Sequence, residues 1–415
     1  MVDFEHYSTL LVQEIGNKVG STAPIITPSA SYGYKDALQA EEIFSGKTNL
    51  PLYARVGNPT NSKLEEVMSK VENGIGAIAT SSGMAALSMI MTAIISSGDK
   101  VLCIGGFFGG TFSLVSETLK RFGVKNRFCQ VDDFEVIENE LKKGVKIVLL
   151  ESVGNPSLRL PDIKKIADLC KIYQTILVID NTVTPILVKP LEMGVDIVIY
   201  SSTKSISGHS ESLGGIAVFR EVKSKDDKLN HNKYRDLHSF IKKAGSKALV
   251  AICKKRALRD FGMSANAFGS FLTLLGLETL PLRIKRVNKS VEKIVNFLDK
   301  NFKSDVTVYH PSLENSPDHK KYKKFFPQGC GPVFTIDCKT KEKAYKLLDN
   351  LKLATLTANI GDNRTLALHM ASTIYANFDD KTKQYLGISD GLIRVSVGLE
   401  EAKAISEDFL QASIN

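Results

Sequence analysis

Two apolar runs without alternation organise this chain. Ile176–Ile179 ends in Asp180, and Val195–Tyr200 passes into Ser201-Ser202-Thr203-Lys204 and a small-residue loop through Gly208, Gly214 and Gly215. Such Ile/Val-rich runs predict parallel strands buried on both faces. Upstream, Thr60 or Asn61 can cap a helix whose apolar positions Leu64, Val67, Met68 and Val71 fall at i, i+3, i+4 and i+7; Asn73-Gly74 ends it. Ile75–Thr80 reads as a strand, Ala85 to about Ile95 as a helix stopped by Gly98, and Val101–Ile104 and Lys146–Leu150 as further strands. Pro161–Tyr173 reads as a helix with Ile163, Ile166, Ala167 and Cys170 on one face. Strand and helix alternate from Ile75 to Phe219, which predicts an α/β fold with a mostly parallel central sheet. Helices over about 266–302, a strand at Pro332–Asp337 and a helix at Glu342–Leu351 predict a smaller C-terminal α+β domain.

Two stretches lack such a period. Residues 1 to about 50 carry Pro24 and Pro28 and read as an irregular arm. Residues 220–255 are polar and Lys-rich, and a stretch of this kind inside a compact chain usually has a function or a partner. The expected division is an arm over 1–60, a large domain over 61–260 and a C-terminal domain over 261–415.

Composition narrows the classes. The 415 residues are 43% hydrophobic and 24% charged, enough for two globular domains. The net charge of +9 comes from scattered lysines with no basic stripe or aromatic interleaving, so nucleic acid is not an expected partner. A mild positive field does suit anionic substrates. Six cysteines form no C-x-x-C pair and seven histidines show no metal-ligand spacing, so no metal is expected. There is no signal pattern and no 18-residue apolar run; the expectation is a cytoplasmic protein without a membrane span.

The chemistry lies at the strand ends. Polar groups there are costly to bury unless they are used. One end offers the Asp180 carboxylate; the other offers Ser201, Thr203 and Lys204. Pyridoxal phosphate needs this set: a lysine for its aldehyde, a carboxylate for its pyridine nitrogen, and hydroxyl and N–H donors for its phosphate. Ser81-Ser82-Gly83-Met84, a small-residue turn between a strand and a helix start, suits the phosphate. A buried structural Lys–Asp pair and a ligand-free turn are the competing readings of these residues taken singly.

Collinear motifs extend over nearly the whole chain. They are Y-x-R-x-G-N-P-T at Tyr53–Thr60, S-S-G-M-A-A at Ser81–Ala86, D-N-T-V-T-P at Asp180–Pro185, S-x-T-K at Ser201–Lys204, G-H-S-x-x-L-G-G at Gly208–Gly215 and G-L-I-R-V-S-V-G-L-E at Gly391–Glu400. The chain resembles the cystathionine γ-synthase/γ-lyase family, the pyridoxal-phosphate-dependent enzymes of cysteine and methionine metabolism. The resemblance implies the PLP fold type I, aspartate aminotransferase-like. It implies that Lys204 is the covalent anchor and general acid/base and that Asp180 is the pyridine partner. Ser82, Gly83, Met84, Thr182, Ser201 and Thr203 would join the cofactor-binding set, and Asn155 would meet the ring's 3-oxygen. Tyr53 and Arg55 would reach the phosphate of a neighbouring subunit in a homotetramer. Asn359 would line the substrate pocket, and Arg394 would clamp the substrate α-carboxylate; an internal salt bridge is the alternative for Arg394.

The departures are informative. D-N-T-V-T-P is one residue shorter than the family's D-N-T-x-x-T-P. Met370 replaces the proline of H-P-A-S, and Gly110 stands where lyases often have cysteine. Phe108 takes the place of the tyrosine in L-Y-G-G-T. Stacking on the ring needs only an aromatic face, so it survives. The acidic hydroxyl does not, which favours a leaving group that needs no proton, such as a carboxylate. L-R-D-F-G at Leu258–Gly262 and G-L-E-T-L-P-L-R at Gly276–Arg283 resemble the sulfhydrylase branch, whereas G-H-S-E-S-L-G-G resembles the synthase and lyase branches.

The expected activity is therefore γ-replacement on an O-acylhomoserine, O-acetyl ahead of O-succinyl, with sulfide or another sulfur donor, giving homocysteine for methionine biosynthesis. A small sulfur-carrier protein is a conceivable donor. The alternatives are cystathionine γ-synthase, O-succinylhomoserine sulfhydrylase and methionine or cystathionine γ-lyase. A nicotinamide dehydrogenase would need a G-x-G-x-x-G after its first strand, which is not found. A silent scaffold would be expected to have lost Lys204 or Asp180.

Overall fold

The computed structural model describes residues 1–16, 20–48, 50–223 and 227–414. The irregular arm and the Lys-rich stretch each include a few residues outside that set. The described residues form two sheets.

The larger sheet contains β1 (Gly76–Thr80), β2 (Lys100–Ile104), β3 (Lys125–Cys129), β4 (Ile147–Glu151), β5 (Ile176–Asp180), β6 (Ile197–Ser201) and β7 (Gly215–Phe219). Their order is β1-β7-β6-β5-β4-β2-β3; β7 runs antiparallel to both its neighbours and the remaining pairs are parallel. The apolar runs behave as expected of central strands: every residue of β4 and β7 is buried. β3 was not expected. Its sequence Lys-Asn-Arg-Phe-Cys lacks the apolar run because it is the edge strand, exposed at alternate positions. The C-terminal sheet contains β8 (Thr307–Tyr309), β9 (Val333–Asp337), β10 (Thr355–Leu356), β11 (Leu366–His369) and β12 (Leu392–Ser396), in the order β10-β11-β12-β9-β8.

Four N-terminal helices matter to the site. α1 (Phe4–Ile15) and α2 (Ala37–Ser45) fall within the stretch expected to be irregular. α1 packs on the chain's own long helix Ala267–Asn301, with Tyr7, Leu11 and Ile15 buried at i, i+4 and i+8. Phe4 and Leu10 pack partly buried beside them, so the apolar face of an ordinary amphipathic helix was present within the stretch read as irregular. α3 (Pro59–Glu72) is capped by Asn58, whose side chain accepts from Thr60 and Asn61, and buries Leu64, Val67, Met68 and Val71 as the spacing predicts. α4 (Gly83–Ile94) follows β1 directly and is almost wholly apolar, because it is sandwiched between the sheet and the helical segment 248–261.

The helix Ala267–Asn301 has one 18-residue window of mean hydropathy 1.2, long and apolar enough to cross a membrane by composition. Here it contains Pro281 and packs against α1, α3 and the helix Ala402–Ile414, as a core helix does.

The Lys-rich stretch is fastened to the amino ends of the strands, away from the site. Lys233 Nζ donates to the carbonyls of Val145 and Tyr173 and to Thr175 Oγ1. Tyr234 Oη donates to the Lys146 carbonyl at 2.6 Å and accepts from the Ile176 N–H at 2.9 Å. Asp196 is buried and pairs with both Arg220 and Lys228. These polar residues satisfy backbone groups and charges that would otherwise be buried without partners, which gives the stretch a structural role.

Candidate active site

Ligands of parallel sheets bind beyond the carboxyl ends of the strands. Here β4, β5 and β6 end in Glu151, Asp180 and Ser201, and all three line one cavity of about 230 Å³. Glu151 and Asp180 are register partners, so two carboxylates sit side by side on its floor.

One corner is built for an anion. Ser82 caps α4, its hydroxyl accepting from the Ala85 N–H at 3.0 Å. The N–H groups of the first turn have no acceptor within the helix and carry its positive dipole end. A Cβ on Gly83 would stand 2.8 Å from Ser201 Cβ, so glycine alone lets α4 approach β6 this closely. Gly215 is required for the same reason, since a Cβ there would meet the Ser82 carbonyl oxygen at 2.1 Å. Thr203 Oγ1 accepts from the Gly214 N–H at 3.0 Å, and Ser82, Gly83, Met84, Ser201 and Thr203 line the cavity together.

Lys204 lies beside this corner. Its amine donates to Asn359 Oδ1 at 2.5 Å. Burial, and then the charge of Arg394, hold it down to about 8. Arg394 is buried on β12 and reaches Asn155 Oδ1 and the Asn359 carbonyl, each at 3.3 Å. Burial holds its guanidinium down to about 10. Among the described residues no carboxylate lies within ion-pair distance of Arg394, so the internal salt bridge that competed with the clamp is not formed there.

The carboxylate pair has unequal partners. Asp180 Oδ1 accepts from the Thr182 N–H at 3.0 Å, and Thr182 Oγ1 accepts from the Ser201 N–H at 2.7 Å. Glu151 accepts at both oxygens, from the Phe108 N–H at 2.7 Å and the Asn155 N–H at 3.0 Å. Burial, and then the neighbouring Asp180, push Glu151 well above the usual carboxylate range; burial raises Asp180 as well. Two adjacent buried carboxylates do not both ionise readily, so burial and mutual repulsion favour a proton on the pair. Glu151 is the site residue that the sequence reading missed. Its signal was available, since it ends an apolar run just as Asp180 does.

Phe108 lines the cavity, half-exposed to it. Among the described residues no tyrosine lines the cavity; Tyr375 Oη lies behind it, within 3.2 Å of the Asn155 carbonyl and 3.3 Å of that of Phe107. Asn359 reaches Lys204 from between the lining residues Ala358 and Ile360. Of the expected site residues, Tyr53 and Arg55 alone are not brought to the cavity of their own chain. Tyr53 is 45% exposed, and Arg55 lies over its ring and donates to the Arg259 carbonyl.

The donor set fits pyridoxal phosphate. A lysine held down to about 8 suits an aldehyde. The Gly83 cradle, with the α4 N-terminus and two hydroxyls, suits a dianionic phosphate. Asp180 and Phe108 line the same cavity, and would offer an acceptor for a protonated pyridine nitrogen and an aromatic face for its ring.

Known proteins agree with this chemistry. The chain is 34% identical to a homocysteine synthase from Schizosaccharomyces pombe, covering 99% of each. It is 32% identical to an L-methionine gamma-lyase from Fusobacterium nucleatum, covering 95% of this chain and 94% of that one. Its fold is similar to a crystal structure assigned as O-acetylhomoserine (thiol)-lyase from Campylobacter jejuni, solved with N'-pyridoxyl-lysine-5'-monophosphate. There the TM-score is 0.92 at 31% identity, over 99% of this chain and 100% of that one. The Cys/Met metabolism PLP-dependent enzyme description matches residues 8–413, and the chain belongs to that family, with the PLP-dependent fold type I and pyridoxal phosphate as its cofactor.

Proposed function

We propose that this enzyme carries out γ-replacement on O-acetyl-L-homoserine, with sulfide as the sulfur donor, giving homocysteine. The observation that carries the reading is one cavity lined by both Lys204 and Phe108, an aromatic face that has no hydroxyl. Bound pyridoxal phosphate supplies the electron sink that acidifies the substrate's α- and β-hydrogens. Arg394 receives the α-carboxylate, and its want of an internal ion pair leaves the guanidinium free for this. Lys204 takes the α-proton and returns it; its lowered basicity leaves part of the amine neutral near pH 7. Asn359 holds that amine in place between transfers. Loss of a β-proton supplies the electron pair that expels acetate from Cγ, and acetate leaves as a stable anion, so no acid is needed opposite it. The sulfur nucleophile then adds at Cγ, and the proton transfers run in reverse. The similarity to homocysteine synthase supports this reading.

γ-Elimination is the second reading, favoured by the similarity to L-methionine gamma-lyase. Cystathionine γ-synthase and the O-succinyl donor stand behind it. Tyr53 and Arg55, exposed away from their own cavity, are assigned to a neighbouring subunit's phosphate in a homotetramer of cytoplasmic location. A sulfur-carrier protein remains an alternative donor. The deciding experiment offers the purified enzyme O-acetylhomoserine or O-succinylhomoserine with sulfide or cysteine. Homocysteine from the acetyl ester and sulfide is the expected product. Predominant cystathionine from cysteine, or 2-oxobutyrate and ammonia without added thiol, would overturn the proposal.

A further inference from the structure

Behind the cavity floor lies a polar chain whose members neighbour the site residues in sequence. Ser152 follows Glu151, Asn181 follows Asp180, and Tyr200 precedes Ser201. Glu151, Asp180 and Ser201 line the cavity, while Ser152, Asn181 and Tyr200 are no more than 1% exposed. The D-N-T-V-T-P motif divides in the same way: Asp180 and Thr182 line the cavity, and Asn181 and Thr184 are fully buried.

These buried groups bond to one another in a single direction. Ser152 Oγ and Thr184 Oγ1 are 2.7 Å apart. Thr184 Oγ1 donates to Asn181 Oδ1 at 2.6 Å, so the proton between the two hydroxyls belongs to Ser152. Asn181 Nδ2 donates to Tyr200 Oη at 2.9 Å, and Tyr200 donates to the buried carboxyl of Glu72 on α3. Ser152 donates at the head of the chain, and Thr184 and Tyr200 each donate once and accept once. The chain thus ties the ends of β4, β5 and β6 to one another and to α3. It runs parallel to the backbone bonds from the Ser152 N–H to the Asp180 carbonyl and from the Asn181 N–H to the Ile199 carbonyl, each 2.9 Å.

We propose that Ser152, Thr184, Asn181, Tyr200 and Glu72 form one positioning unit that sets the spacing of Glu151, Asp180 and Ser201 beneath the cofactor. The reason is leverage. Ser152, Asn181 and Tyr200 are each covalently next to a residue that lines the cavity, and Thr184 and Glu72 are one hydrogen bond from those three. A strand end displaced by a few tenths of an ångström weakens those bonds, because hydrogen bonds fall off steeply with geometry. Hydrogen-bonded members of one network also act jointly. The inference rests on pyridoxal phosphate as the cofactor and not on the identity of the acyl or sulfur substrate.

Full-length protein freed of cofactor and titrated with pyridoxal phosphate tests it, read by the visible absorption of the bound cofactor and by thermal melting without cofactor. Thr184→Val removes the hydroxyl and keeps the shape; Thr184→Ser keeps the hydroxyl and removes a methyl. Tyr200→Phe cuts the chain at a second point. Thr184→Val and Tyr200→Phe should each weaken cofactor binding about five- to tenfold, the worth of a hydrogen bond. Thr184→Ser should stay within twofold. The Thr184→Val/Tyr200→Phe double variant should lose less than the product of the single losses. The proposal is overturned if Thr184→Ser weakens binding as much as Thr184→Val, which would make the methyl's packing the cause. It is equally overturned if melting falls in Thr184→Val and Tyr200→Phe while their cofactor affinity stays within twofold. No amino acid is present in the assay, so a wrong substrate assignment cannot produce either result.

Discussion

Gly83→Ala tests the anion corner most directly. The new Cβ would stand 2.8 Å from Ser201 Cβ, 3.0 Å from Ser201 Cα and 3.3 Å from Ser201 N, and two of these three atoms are backbone. No flexible side chain can move aside. To reach ordinary contact at 3.4 Å, the first turn of α4 must retreat from β6 by about 0.6 Å. A phosphate bound between them at about 2.9 Å would then lie near 3.5 Å from one wall, beyond the useful range of a hydrogen bond. Losing one charge-assisted bond of about 1.5–3 kcal/mol weakens binding by about tenfold to 150-fold. The assay is a pyridoxal phosphate titration of the cofactor-free protein, with Gly33→Ala as the control, because a Cβ on Gly33 meets nothing within 4 Å. Alanine is a better helix former than glycine, so the melting temperature without cofactor should fall little. An affinity within twofold of wild type, with the protein folded, would refute the assignment of the phosphate to this cradle.

Borohydride reduction of the cofactor-loaded protein should attach a pyridoxyl group to the peptide carrying Lys204, read by mass spectrometry, and Lys204→Ala should take up none and lose turnover. Mixing Arg55→Ala subunits with Lys204→Ala subunits should restore part of the activity that each lacks; no recovery in hybrids shown to form would place Arg55 outside the neighbouring site. Phe108→Tyr should raise elimination relative to replacement, measured as 2-oxobutyrate against homocysteine, since it returns an acid to the cavity. Glu72 is raised from 4.5 to about 8, mainly by burial, facing Tyr200, Lys189 and Glu192. Between those values the folded state keeps a proton that the unfolded state has lost, so Glu72's contribution to stability falls as pH rises across that window. Glu72→Gln should therefore flatten the fall in the urea midpoint between pH 5 and 8; an unchanged slope would show that Glu72 ionises normally.

Where side-chain pattern and secondary structure repeat locally, the chain was readable unaided. The unalternating runs of β5 and β6 announced buried parallel strands, and the acid, hydroxyls and lysine at their ends announced the site, because a polar group closing such a run needs a use. The same logic covered α3 and α4. It failed where tertiary contacts replaced the local signal. α1 is the exception, since Phe4, Tyr7, Leu10, Leu11 and Ile15 already give it an apolar face, which the helix Ala267–Asn301 covers. β3 can be Lys-Asn-Arg-Phe-Cys because an edge strand is half wet. The Lys-rich stretch could be long and polar because Lys233 and Tyr234 satisfy the amino ends of the strands. The chemistry at the strand ends and the order of the motifs together pointed to Lys204 and Asp180. Only the folded chain placed Glu151 beside Asp180, brought Asn359 to Lys204 across 155 residues, and left Arg394 buried with no carboxylate partner among the described residues. These are distances between strand ends and between segments remote in sequence, and a one-dimensional pattern carries no record of them. Burial then favours a proton on the carboxylate pair and sets how basic the lysine is, and burial exists only once both sheets have closed over the site.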